Sequence, residues 1–112
     1  MSARAEPATS HLPALLERRL REFGDADPEF VVVLFGSRAR GDAWRDSDYD
    51  LLVVARAFEG VPALERGRML AASLWDVAPV DLICVTPTEL ARATDGFGIT
   101  GIALRSGIRV LP

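Results

Sequence analysis

Three short groups of residues have the types and spacing to do chemistry: Gly36-Ser37, Asp48-Tyr49-Asp50 and Asp81. Each sits at the boundary of an apolar run. FVVVLF ends in Gly36-Ser37, Asp48 and Asp50 lead into LLVV, and Asp81 is the second residue of VDLICV. Carboxylates at i and i+2 of an extended segment project to one face. At such separations they repel by about 1–4 kcal/mol unless positive charge lies between them. A hard ion such as Mg2+ or Mn2+ relieves that repulsion, and Mg2+ prefers few protein carboxylates completed by water and phosphate oxygens. A loop cap and a solvated carboxylate would explain an isolated Asp-x-Asp equally well.

Asp81 shifts the balance, because a carboxylate within an apolar run needs a partner. One of the 13 basic residues, all of them arginine, can be that partner. A metal can be too: three carboxylates can hold two ions about 3.5–4 Å apart. Gly36 lets backbone approach a phosphate, and Ser37 can open a helix whose free N–H groups attract an anion. The same pair also suits an ordinary helix cap. Arg38 and Arg40 share that turn and can face phosphates or water. Ser47 can bond a phosphate or hold the loop.

The elements around these residues must bring them to one place. Leu12, Leu15, Leu16, Leu20 and Phe23 recur at helical spacing, which predicts a helix over 13–23, capped by Thr9 or Ser10 and ended by Gly24. Residues 30–35 read as a strand covered on both faces. A helical turn follows over 37–41, an exposed acidic loop over 42–47 and a second buried strand over 50–54. After a connection over 56–60, residues 62–78 read as the longest helix, with Leu64, Ala71, Leu74, Trp75 and Ala78 near one side and Trp75 in the core. Pro79 ends it, and 80–85 is the third strand. A short helix over 87–93, a break over 95–98, a weaker helix over 99–105 and an edge strand over 108–111 complete the chain.

The first and second strands are joined by too little chain for a crossover helix, which predicts an antiparallel pair. The second and third are joined by a helix, which predicts a parallel, right-handed crossover. These two connections alone place Gly36, Ser37, Asp48, Asp50 and Asp81 at one sheet edge. The fold class is α/β (α+β), a small mixed sheet of three to four strands flanked by helices.

Composition narrows the classes. The 112 residues suit one domain, here 10–112 behind a frayed tail over 1–9. The net charge of -3 argues against a stand-alone nucleic-acid binder. Without lysine there is no Schiff base. A lone Cys84 in an apolar run forms no internal disulfide and reads as core. His11, the sole histidine, sits at a helix start and supports no Ser-His-Asp triad. No signal-peptide core and no apolar run near the ~20 residues of a membrane span is present, so a cytoplasmic protein is expected. Trp44, in the polar loop, can stack on a base or meet a partner. The apolar C-terminal segment can contact another chain.

GSRARGDAWRDSDYDLLVV followed by VDLICV resembles the DNA polymerase β-like nucleotidyltransferase superfamily, and most closely its minimal nucleotidyltransferase (MNT) branch. The matching positions are Gly36, Ser37, Gly41, Ser47, Asp48, Asp50, Leu51 and Asp81. The motifs cover 31–85, and the flanking helices match by order. The resemblance implies that Asp48 and Asp50 bind two Mg2+ or Mn2+ ions and that Asp81 completes the site on the nucleophile side. Gly36 and Ser37 would hold the β- and γ-phosphates of ATP or another NTP. NMP would pass to a hydroxyl with release of pyrophosphate. Many members of this branch resemble antitoxins paired with HEPN-domain toxins, and some transfer AMP to a tyrosine of that partner. The resemblance thus implies a type VII-like antitoxin in a hetero-oligomer. The alternative is a non-catalytic antitoxin that neutralises its partner by binding, with a residual nucleotide site.

Overall fold

The computed structural model describes residues 12–41, 48–93 and 99–112. The tail over 1–9, Thr9, Ser10, His11, Trp44, Ser47, the loop over 42–47 and the break over 95–98 lie outside the described residues.

Helix α1 (Ala14–Phe23) leads to strand β1 (Val31–Phe35), the one-turn helix α2 (Ser37–Arg40) and strand β2 (Tyr49–Val54). A 3-10 turn (Arg56–Phe58) precedes α3 (Ala63–Ala71) and β3 (Val80–Val85). Helices α4 (Pro87–Ala93) and α5 (Ile99–Ser106) and strand β4 (Ile108–Leu111) follow. The four strands form one mixed sheet in the order β3-β2-β1-β4. β1 is antiparallel to β2 and to β4, and β2 is parallel to β3, as the connection lengths predicted.

The apolar runs of β1 and β2 are buried on both faces. On one face Val32, Leu34, Leu51 and Val53 pack with Leu16 and Leu20 of α1, Phe58, and Leu70 and Leu74 of the α3 region. On the other, Val33, Leu52, Val54 and Val85 pack with Ala103 of α5. The alternation of the pleat thus assigns each strand residue to one of two helix layers.

Helix α3 departs from its prediction. It has 9 residues against 10 for α1, so it is not the longest. Residues 72–77 continue as tight turns, in which Ser73 and Leu74 donate to the carbonyls of Leu70 and Ala71. Pro79 disfavours helical backbone in the residue before it, and Arg19 of α1 draws away the Ser73 carbonyl. The buried side of α3 is Arg66 and Leu70, continued by Leu74 in the turns, at four-residue spacing. Leu64 and Trp75, expected near the apolar side, are 87% and 79% exposed, and Leu15 of α1 is 38% exposed. The apolar pattern of α3 misleads because an arginine takes a core position there.

Candidate active site

β1 carries Phe35 to the edge of the sheet, and the backbone then turns through Gly36 at φ +75° and ψ -157°, a conformation confined in practice to glycine. The Gly36 carbonyl accepts the N–H groups of Ala39 and Arg40, which starts α2 at Ser37. Asp50 pairs with Phe35 on one side and with Asp81 on the other. Phe35, Asp50 and Asp81 therefore stand in a row across β1, β2 and β3, with Gly36 directly after Phe35, at the edge the connection lengths anticipated. Asp48, one residue before β2, is exposed, as is Asp81, while Asp50 is half-buried.

The contact between Gly36 and Asp50 is close. A Cβ built on Gly36 would lie 2.1 Å from Asp50 Oδ2, so the carboxylate occupies the space a side chain would need. Burial, then the charge of Asp81, then that of Asp48, push the Asp50 carboxyl above its usual range, with Arg40 pulling the other way. The charges of Asp81 and Asp48 thus both reach Asp50. Among the described residues no three acidic, histidine or cysteine groups close into a ready-made metal cage. The carboxylates form an open edge, and a cation placed there would relieve the repulsion that Asp81 and Asp48 exert on Asp50. An open edge fits Mg2+, which completes its octahedral shell with water and phosphate oxygens.

A family model described as a nucleotidyltransferase domain matches residues 15–104. The chain belongs to that family. Its members generally use a nucleoside triphosphate and a divalent ion. A candidate nucleotidyltransferase from Sulfolobus solfataricus is 28% identical, over 76% of this chain and 78% of that one, with a TM-score of 0.54. A chain of a toxin–antitoxin structure with AMP-PNP shares the fold at 23% identity, over 89% of this chain and 73% of that one, with a TM-score of 0.52. A search of curated proteins gives no significant match. The mixed sheet flanked by helices is that of the polymerase β-like nucleotidyltransferases. Among the described residues no helix is long and apolar enough to cross a membrane.

Within the nucleotidyltransferase domain, the two arginines of α2 differ in their surroundings. Arg38 lies over the Tyr49 ring, 4.0 Å from its centroid, whereas Arg40 acts on the Asp50 carboxyl. The Tyr49 side chain packs on the α1/α3 face, opposite to Asp50. The Arg38–Tyr49 stack therefore joins α2 to β2 behind the carboxylates. Reading the motif residue by residue passes over Tyr49; its signal is the alternation in Asp-Tyr-Asp, which sends it to the other face. Tyr49 N–H also donates to the Pro79 carbonyl at 2.9 Å, tying the start of β2 to the start of β3. Cys84 stands apart from this chemistry: it packs on the α1/α3 face, and burial pushes its thiol up to about 11.

Proposed function

We propose that this nucleotidyltransferase domain transfers an NMP, AMP from ATP, to a hydroxyl of a protein partner, and that the acceptor is a tyrosine of a HEPN-domain toxin which the domain thereby neutralises. The observation that carries the transferase part is the pairing of Asp50 with Asp81 at one sheet edge, with Gly36 and Asp48 beside them. The partner part is supported by the resemblance to MNT antitoxins and by the fold shared with a chain of a toxin–antitoxin structure with AMP-PNP.

In this reading Asp48 and Asp50 hold divalent ions and Asp81 completes the site on the acceptor side. Bound ions supply charge neutralisation for the phosphates and acidify the attacking hydroxyl. Gly36 brings its backbone against the triphosphate because it has no Cβ, and Ser37 offers a hydroxyl and an N–H at the same turn. Arg40 adds positive charge beside Asp50, and Ser47 precedes Asp48 on the loop that enters the site. The Asp81 carboxylate is open to water and accepts the proton of the incoming hydroxyl. The chain's contribution is positioning and charge stabilisation, the usual basis of phosphoryl-group chemistry. Residues 10–112 act as one unit, working in the cytoplasm as a hetero-oligomer with the partner.

The test is intact mass spectrometry of a HEPN-domain partner incubated with the domain, Mg2+ and each NTP in turn. The expected result is a gain of whole NMP units with ATP, absent with the Asp48→Asn, Asp50→Asn double variant. In a parallel thermal melt, Mg2+ with a non-hydrolysable ATP analogue raises the Tm of the parent chain and not of that variant. Neutralisation that persists undiminished in the double variant, with no mass gain in the parent, replaces the transferase by an antitoxin acting through binding alone.

A further inference from the structure

α2 is a single helical turn, Ser37–Arg40, set between Gly36 at φ +75° and Gly41 at φ +85°, and none of its residues is buried. The backbone hydrogen bonds that close it are local. The Gly36 carbonyl accepts the Ala39 and Arg40 N–H groups, and the Ser37 carbonyl accepts that of Gly41. One turn of helix is not stable alone. Side chains must fix where this turn stands against the sheet. They thereby fix where the Gly36-Ser37 backbone stands relative to Asp48 and Asp50.

Arg38 and Arg40 both reach β2, on opposite sides. Helix residues are about 100° apart, so side chains two positions apart diverge by about 160°. Strand residues alternate as well, so Tyr49 lies on one face of β2 and Asp50 on the other. Half-buried Arg38 lies 4.0 Å from the centroid of the Tyr49 ring, and exposed Arg40 acts on the Asp50 carboxyl. The turn thus holds the start of β2 from both faces. The Tyr49 end is itself well anchored. Its N–H donates to the Pro79 carbonyl at 2.9 Å, it pairs with Val80, and its ring packs in the layer shared with α1 and α3. Tyr49 also separates Asp48 from Asp50 in the chain. A tilt at this residue swings both carboxylates at once.

We infer that Tyr49 and Arg38 are positioning residues: their stack sets the Asp48–Asp50 pair against the Gly36-Ser37 turn, and Arg38 is engaged by the phenol ring and not by a phosphate. This rests on the transferase reading above and adds to it two residues that touch neither ion nor substrate. The flat guanidinium is held over the ring by the ring's negative face. Arg38→Met keeps the stem and loses the charged plane. Tyr49→Leu keeps apolar volume and loses the ring, which Tyr49→Phe retains. A bare charge and a positioning stack differ in sign. As a charge alone, Arg38 opposes a divalent ion at the carboxylates, so its removal tightens the ion and Tyr49→Leu changes nothing. As a stack, loss of either residue weakens the ion.

The test is a Mn2+ titration with a non-hydrolysable ATP analogue, read by electron paramagnetic resonance on samples shown folded by circular dichroism. Arg38→Met and Tyr49→Leu each weaken Mn2+ about three- to five-fold, the scale of one cation–π contact, while Tyr49→Phe stays within about two-fold of the parent. The double variant is no weaker than either single one, because contacting residues are coupled. In transfer to the HEPN-domain partner, both single variants lower kcat about ten-fold, short of the loss from a full ångström of misplacement, and leave the KM for ATP within about two-fold. Tyr49 is the one tyrosine of the chain, so its ring resonances are identified without mutation, and Arg38→Met shifts them. Tighter Mn2+ in Arg38→Met, or parent affinity in Tyr49→Leu, overturns the positioning role. A raised KM for ATP in Arg38→Met alone overturns it by making Arg38 a phosphate ligand. Parent kcat per folded molecule in both variants overturns it by reducing the stack to a structural contact. Unmoved Tyr49 resonances in Arg38→Met remove the stack itself. If the parent binds Mn2+ but transfers nothing, and both variants still weaken the ion, the positioning role stands and the transferase reading falls. A parent chain that binds no Mn2+ overturns both.

Discussion

A methyl group added at Gly36 would meet Asp50 Oδ2 at 2.1 Å, on backbone with φ +75°. Two penalties combine there. The conformation costs a non-glycine residue about 1–3 kcal/mol, and relief of the overlap has to move the carboxylate that faces Asp81. Gly36→Ala is therefore expected to lower the Tm by about 4–12 °C and, more tellingly, to cut transfer by about 100-fold, the scale at which misplacement by an ångström acts. Thermal unfolding and initial rates at 15 °C, where the variant stays folded, check this. Full activity in Gly36→Ala would show that the turn can shift without disturbing Asp50. At this scale the placement of the candidate site residues was largely legible. Gly36, Asp48, Asp50 and Asp81 stand out because each interrupts or bounds an apolar run, where a polar or flexible residue demands a reason. Tyr49 gave no such signal, since a tyrosine in a strand is ordinary, and Arg38 stood out only as an arginine in the turn after Gly36, facing phosphates or water, whereas it lies over the Tyr49 ring. The stack between them depends on a turn geometry that no spacing encodes.

Among the elements, α3, β3 and α4 are joined by one buried arginine. Arg66 is 8% exposed. It donates to the Val61 carbonyl at 2.9 Å, the Cys84 carbonyl at 3.1 Å and both oxygens of Glu89, at 2.6 and 3.1 Å. Glu89 in turn accepts the Thr86 N–H, and Thr86 Oγ1 accepts the Glu89 N–H, a reciprocal cap that starts α4. The Arg66 hydrogen bonds, then the Thr86 N–H, hold the Glu89 carboxyl below its usual range. A lowered carboxyl stabilises the fold above its unfolded pKa and loses that contribution as pH falls through the folded value. The parent chain is thus expected to outlast Glu89→Gln in thermal melts at pH 7, with the gap narrowing below about pH 4.3. The Glu89 side chain is 43% exposed, which limits the gap to a modest one. A gap that stays constant down to pH 3 would remove the ion pair as its cause. This joint also explains the limits of reading elements from sequence. Strand directions followed from connection length, a chain-geometry constraint that admits few solutions. The buried side of α3 did not, because Arg66 becomes a core residue only through Glu89, 23 positions away in the chain. With that position unrecognised, the apolar pattern was assigned to Leu64 and Trp75.

For the molecule as a whole, the candidate site lies on β1, β2 and β3, and the fourth strand supports them without entering it. β4 closes the sheet along the other side of β1, pairing Leu111 with Val32 and Ile108 with Leu34 across an irregularity at Val32/Val33. Gly107, which leads into β4, lies tightly against β1: a Cβ there would be 2.4 Å from Val33 Cγ1. Leu111 is 1% exposed within the core layer that also holds Leu34 and Leu51. Truncating such a leucine to alanine costs about 2–5 kcal/mol, a large share of the 5–15 kcal/mol by which domains are stable. Leu111→Ala is expected to lower the Tm by about 8–20 °C. Leu64→Ala, at a leucine 87% exposed, is expected to change it by less than about 2 °C. The functional consequence separates support from chemistry. At 15 °C, with both variants folded, turnover per folded molecule should equal that of the parent, because no β4 side chain belongs to the carboxylate row. At 37 °C, the activity of Leu111→Ala should fall in proportion to its unfolded fraction, measured by circular dichroism on the same samples. Lost turnover at 15 °C in a fully folded Leu111→Ala would instead mean that β4 sets the position of β1, and through Phe35 and Gly36 the position of Asp50. The site would then be a property of the whole sheet, with its fourth strand included, and not of three strands alone.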